Sequence, residues 1–102
     1  MLGAGFNGRR FSMKVLKFGA VWCSGCLVMK PRWAEVEKEN PWLETEYFDF
    51  DSNSDAVEKY QIEDGRLPIF IFLDRNGNEL ERRSGELSKE EITSLITQYK
   101  DK

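Results

Sequence analysis

Histidine is absent from this sequence of 102 residues, and cysteine occurs only twice, as Cys23 and Cys26. A tetrahedral zinc site needs four ligands, so one chain with two cysteines and no histidine does not build one. A thiolate stabilised by histidine is excluded on the same count. A structural disulfide closing so short a loop would stabilise little beyond local structure. No run approaches the ~20 consecutive apolar residues of a membrane-spanning helix. Excess positive charge is also missing: the net charge is -3, which argues against nucleic acid or an anionic membrane as partner.

What is present is enough for one compact core. Apolar residues make up 40% and aromatics 13% of the chain, which excludes disorder and, at this length, a second domain. Residues 1–12, with Gly3, Gly5 and Gly8, read as a flexible leader or a remnant foreign to the domain, which then runs from 13 to 102. Arg9-Arg10 bears a faint likeness to a twin-arginine export signal. Lys17 interrupts the apolar run that should follow, and the cysteines fall where cleavage would occur. The expected location is therefore the cytoplasm.

The pattern along the chain alternates strands and helices. Residues 13–21 read as a buried strand through Val15, Leu16, Phe18 and Ala20. From 24 to about 40 Met29, Trp33 and Val36 fall at helical spacing, Pro31 should kink the helix, and Asn40-Pro41 should end it. Trp33 and Trp42 read as packing residues. A second strand is expected over 46–51, and a short helix follows, with cap candidates at 52–55. The continuous apolar run 67–73 suits a strand buried on both faces. Asn76-Gly77 marks a hairpin turn, and the charged segment 79–84 reads as a sheet edge. Ser88 and Glu91 form a capping box ahead of Ile92, Leu95, Ile96 and Tyr99. The expected order is β-α-β-α-β-β-α: an α/β fold with a four-stranded mixed sheet, its faces covered by the long helices.

The chemistry centres on the cysteine spacing. At i and i+3, where a strand turns into a helix, two thiols share one face and lie within disulfide reach. Cys23 sits at the helix N-terminus, where unpaired N–H groups and the positive end of the dipole favour a thiolate. It is the expected nucleophile. Cys26, one turn deeper, should be more buried and stay protonated until it resolves a mixed disulfide.

The segment Trp22-Cys23-Ser24-Gly25-Cys26, with Pro31 five positions on, resembles the active-site helix of the thioredoxin family. The likeness runs from about residue 13 to 99. Asp49-Phe50-Asp51 resembles that family's second core strand, Leu67-Pro68 its cis-proline segment, and Gly85 the glycine before its last helix. The resemblance implies a thioredoxin-like fold in a minimal four-stranded version, shortened at the N-terminus. It implies a thiol–disulfide oxidoreductase acting through the Cys23/Cys26 dithiol. It further implies that Trp22, Leu67, Pro68 and Gly85 form a docking surface where an extended peptide adds as a strand. No bound cofactor is implied. Electrons would come from a thioredoxin reductase or a similar donor, and protein disulfides would be the substrates of a monomer.

Several departures from the family pattern bear on the site. Lys17 stands where the family has a buried acid, and its amine is expected to pair with a carboxylate such as Asp49. Ser24 and Gly25 replace the commonest dipeptide between the cysteines. Asp64-Gly65 adds a turn ahead of Pro68, and Leu27 places an apolar side chain beside the site. A glutaredoxin-like glutathione-linked reductase, a non-catalytic interaction module and a zinc-bridged dimer remain open alternatives.

Overall fold

The first strand, β1 (Lys14–Gly19), forms because Val15, Leu16 and Phe18 each find a buried surface, while Lys14 and Lys17 keep partial access to solvent. It lies at the centre of a computed structural model that describes residues 12–102. The leader expected over residues 1–12, Ser12 apart, falls outside the described residues. The chain continues through α1 (Ser24–Glu39), β2 (Glu44–Asp49), α2 (Ser54–Lys59), a 3₁₀ turn (Asp64–Arg66), β3 (Ile69–Leu73), β4 (Glu79–Ser84) and α3 (Lys89–Tyr99). The element order is the one the sequence predicts.

The sheet is mixed, with order β2-β1-β3-β4. β1 pairs in parallel with β2, placing Lys17 opposite Tyr47 and Gly19 opposite Asp49. It pairs antiparallel with β3, and β3 with β4. All five residues of β3 are buried, as its unbroken apolar run predicts. β4, with the sequence ELERRS, lies at the sheet edge, where its charges oppose pairing with another chain.

Coverage of the two faces differs from the expectation. Both long helices lie on one face. There Met29, Trp33 and Val36 of α1 pack with Ile92, Leu95 and Ile96 of α3 against Val15, Phe70 and Phe72. The opposite face is closed by the short α2: Ala56, Val57 and Tyr60 cover Leu16, Phe18, Ile69, Ile71 and Leu73. Three half-buried side chains suffice because Phe48 and Phe50 share the cover, Phe48 stacking on Phe18 at 5.0 Å between centroids. Trp33 and Trp42 are packing residues, as predicted.

Strand β2 ends two residues earlier than its aromatic alternation suggests. Asp49 turns the chain there. Its carbonyl accepts from the Ser52 N–H at 3.1 Å and from Asn53 Nδ2 at 3.0 Å, and its carboxylate accepts from Ser52 Oγ at 2.9 Å. Asn53 is the N-cap of α2 but spends its side chain on this turn instead of the helix. The Ser88–Glu91 capping box forms in both directions. Helix α1 runs unbroken across Pro31, which faces solvent.

Candidate active site

The site is built where β1 gives way to α1. The Cys23 N–H donates to the Ala20 carbonyl at 3.2 Å, closing a turn that lifts Val21 and Trp22 to the surface. Cys23 is extended, at φ -98° and ψ 111°, and is the N-cap of α1. Its sulfur accepts from the Cys26 N–H at 3.2 Å, taking the place a serine or aspartate oxygen holds at other helix starts. The first turn of α1 carries no acidic residue, so nothing there opposes negative charge on Cys23 Sγ. Cys23 and Cys26 are joined as a disulfide with Cα atoms 5.2 Å apart. This bond can open and close without moving the backbone.

Burial of the pair reverses the expectation. Cys23 is 9% exposed and counts with the core, whereas Cys26 is only partly buried. Gly19 of β1 lies against Cys26: a Cβ there would stand 3.2 Å from its sulfur. A cavity of about 390 Å³ opens beside the two residues. Lys17, Trp33, Tyr47, Asp49 and Leu27 line it together with Cys26.

Lys17 lies in this cavity, with a different partner from the expected one. Its Nζ is 2.6 Å from Glu37 Oε2 on α1 and 5.6 Å from the centre of the Trp33 ring. Asp49 shares the cavity but stands opposite Gly19, two positions further along the parallel ladder, a rise of about 6.6 Å. Glu37 faces Lys17 directly from the crossover helix. Asp49 instead holds the turn after β2.

The residues of the expected docking surface come together in part. Pro68 is buried and follows a cis peptide bond. A Cβ on Gly25 would lie 3.2 Å from Pro68 Cδ, so the glycine lets the cysteine turn close on the proline. Gly85, at φ +94°, donates its N–H to the Pro68 carbonyl at 2.7 Å. Leu67 turns away and packs with the α2 side of the core. Trp22 is 55% exposed and donates from Nε1 to Asp51 Oδ2 at 2.7 Å, with its ring edge-on to Phe50. Ser24 is exposed, and Pro31 contributes nothing to the cavity.

Sequence reasoning missed Gly19, Glu37, Tyr47 and the role of Asp51. Asp51 stands in a segment whose resemblance is visible, but its bond to Trp22 spans 29 residues. Exposed apolar side chains surround the pair: Val21, Trp22, Leu27, Val28 and Tyr47. A dithiol at a helix start, ringed by apolar surface, is suited to meet a disulfide on another polypeptide.

Comparison with known proteins agrees with this geometry. A family model described as thioredoxin matches residues 7–100. The thioredoxin of Chlamydia pneumoniae is 31% identical over 85 residues, which are 83% of this chain and 80% of that protein. Thioredoxin H5 of Oryza sativa subsp. japonica is 32% identical over 71 residues, covering 70% of this chain and half of the relative's length. Among solved structures, Fasciola hepatica thioredoxin superposes with a TM-score of 0.82 at 30% identity, covering 93% of this chain and 88% of the other. Thioredoxin NaTrxh from Nicotiana alata gives a TM-score of 0.81 at 26% identity, covering 94% and 82%.

Proposed function

The chain belongs to the thioredoxin family and is a thiol–disulfide oxidoreductase, and on that premise we propose that it works as a reductant of protein disulfides, with Cys23 as nucleophile and Cys26 as resolving thiol. The observation that carries the assignment of roles is the cap geometry. Cys23 Sγ already accepts an N–H of the first helical turn, which contains no acid. A thiolate placed there keeps that bond and gains from the dipole.

The Cys23 thiolate attacks one sulfur of the substrate disulfide; a mixed disulfide forms and the second substrate sulfur leaves as a thiolate. Cys26 loses its proton, attacks Cys23 Sγ and releases the first substrate sulfur. Two electrons have passed to the substrate, and Cys23 and Cys26 end as the disulfide. A thioredoxin reductase is the expected donor that restores the dithiol, and no bound cofactor is required. Trp22, Pro68 and Gly85 form the docking surface, with Leu67 supplying backbone for an added strand. A monomer in the cytoplasm suits this direction of flow, because that compartment keeps dithiols reduced.

The test is the reduction potential of the pair, measured in dithiothreitol or glutathione buffers and read by tryptophan fluorescence. A value near ~-270 mV supports the reductant role, and one about 100 mV higher overturns it in favour of an oxidant or isomerase. Cys26→Ser should stall on substrate as a mixed disulfide, and Cys23→Ser should form none.

A further inference from the structure

Tyr47 and Cys26 both press close to the backbone of residue 19, where any side chain would crowd them. Gly19 is buried at the end of β1, and a Cβ there would lie 3.1 Å from Tyr47 Oη and 3.2 Å from Cys26 Sγ. Both atoms border that point, the hydroxyl from β2 and the sulfur from α1. The outer face of the Tyr47 ring is open to solvent, while its Oη and Cε1 are turned inward to Gly19. Among the described residues the Tyr47 hydroxyl has no hydrogen-bond partner.

We propose that Tyr47 Oη donates a hydrogen bond to Cys26 Sγ once the disulfide opens, steadying the resolving thiolate as it forms. The inference deepens the dithiol reading and rests on Cys26 being the resolving thiol. Its chemistry is simple. Cys26 gives its proton to water in the adjoining cavity, its sulfur bonds to Cys23 Sγ, and the Cys23–substrate bond breaks. The released substrate thiolate takes a proton from water. Tyr47 keeps its own proton throughout.

The charged groups around the sulfur leave this task to the phenol. Lys17 on β1 is engaged by Glu37 of α1, and Lys30 of α1 and Asp49 of β2 line the same cavity. Asp49 is a like charge to a thiolate and opposes it. Burial first, and then Asp49, raise the Tyr47 phenol above its ordinary value of 10.0. It therefore remains a donor across the neutral range.

The experiment follows 5-thio-2-nitrobenzoate released from a mixed disulfide preformed on Cys23, as a function of pH. The proteins are the parent, Tyr47→Phe, Gly19→Ala and the double variant. Tyr47→Phe should shift the pH profile of release upward by about one unit and slow release about tenfold at neutral pH, the scale of one hydrogen bond to a charged group. Gly19→Ala, whose methyl would stand 3.1 Å from Tyr47 Oη and 3.2 Å from Cys26 Sγ, should slow release more in the parent than in the Tyr47→Phe background. An unshifted profile in Tyr47→Phe overturns the proposal. So does a Gly19→Ala effect that persists undiminished in the double variant, since the methyl then acts on Cys26 directly. Thermal unfolding of Tyr47→Phe should match the parent. Release at the parent rate from Cys26→Ser would instead defeat Cys26 as the resolving thiol, a failure distinct from that of Tyr47.

Discussion

Lys17 Nζ lies 2.6 Å from Glu37 Oε2, and Thr45 Oγ1 donates to the same carboxylate oxygen at 2.9 Å. One oxygen thereby ties β1, α1 and β2 together. The Lys17 and Glu37 side chains are only 17% and 32% exposed, so water screens the pair less than it would a surface bridge.

Glu37→Gln should therefore destabilise the protein by about 1–2 kcal/mol, because it leaves a half-buried ammonium over the Trp33 ring without its counter-charge. Adding Lys17→Met should recover most of the loss, since the unpaired charge is then gone. Urea unfolding of the two single variants and the double measures this. Equal stability of Glu37→Gln and the parent would show that the pair contributes nothing.

The two tryptophans near the site should separate stability from turnover. Trp33 is 2% exposed and packs on Phe70 at 5.4 Å between centroids. Trp33→Ala should cost about 3–5 kcal/mol through the cavity it leaves. Trp22→Ala should cost under about 1 kcal/mol, yet lower kcat/KM for a disulfide-linked peptide several-fold by removing apolar docking surface. Unfolding curves and steady-state kinetics on both variants check the division. A Trp22→Ala variant with unchanged kcat/KM would remove Trp22 from the docking surface.

Acid should unfold the chain partly through β4. The Tyr99 hydroxyl donates to Glu81 Oε1 at 2.6 Å, and this bond, followed by the Arg83 guanidinium, holds Glu81 below its ordinary value of 4.5. Arg82 depresses Glu79 in the same direction. A carboxyl depressed in the folded state contributes its stability fully above the unfolded value. That contribution is lost as pH falls from about 4.5 through the lower folded value. Glu81→Gln should flatten the fall of stability with pH in that window and leave the slope near pH 7 unchanged. Denaturant midpoints at a series of pH values from 3 to 7 would show it, and an unaltered acid slope would count against the Tyr99–Glu81 bond.

Much of the fold was legible because its signals are local. The apolar run at Ile69–Leu73, the Ser88–Glu91 box and the charged β4 each carry their meaning within a few residues. Element boundaries were less legible where a side chain chose between two nearby partners. Asn53 turned to the Asp49 carbonyl, away from its own helix, and β2 ends at Asp49 where β1 ends at Gly19. The distribution of helices over the two faces was not legible at all. It depends on which strand neighbours which, and the 3.6-residue period of α1 is silent on that.

The sequence by itself determined the pair Cys23 and Cys26, the place of Cys23 at a helix start and the element order, since spacing and periodicity encode them directly. Tertiary structure decided how the pair is surrounded. Lys17 met Glu37 and not Asp49 because the parallel register sets Asp49 two positions away and the crossover helix passes overhead. Cys26 is less buried than Cys23, and Gly19, which has no side chain, lies against its sulfur. Tyr47 reached the same point from another strand, 21 residues from Cys26 along the chain. Contacts of this kind are fixed by packing between distant segments, and no local pattern in the chain records them.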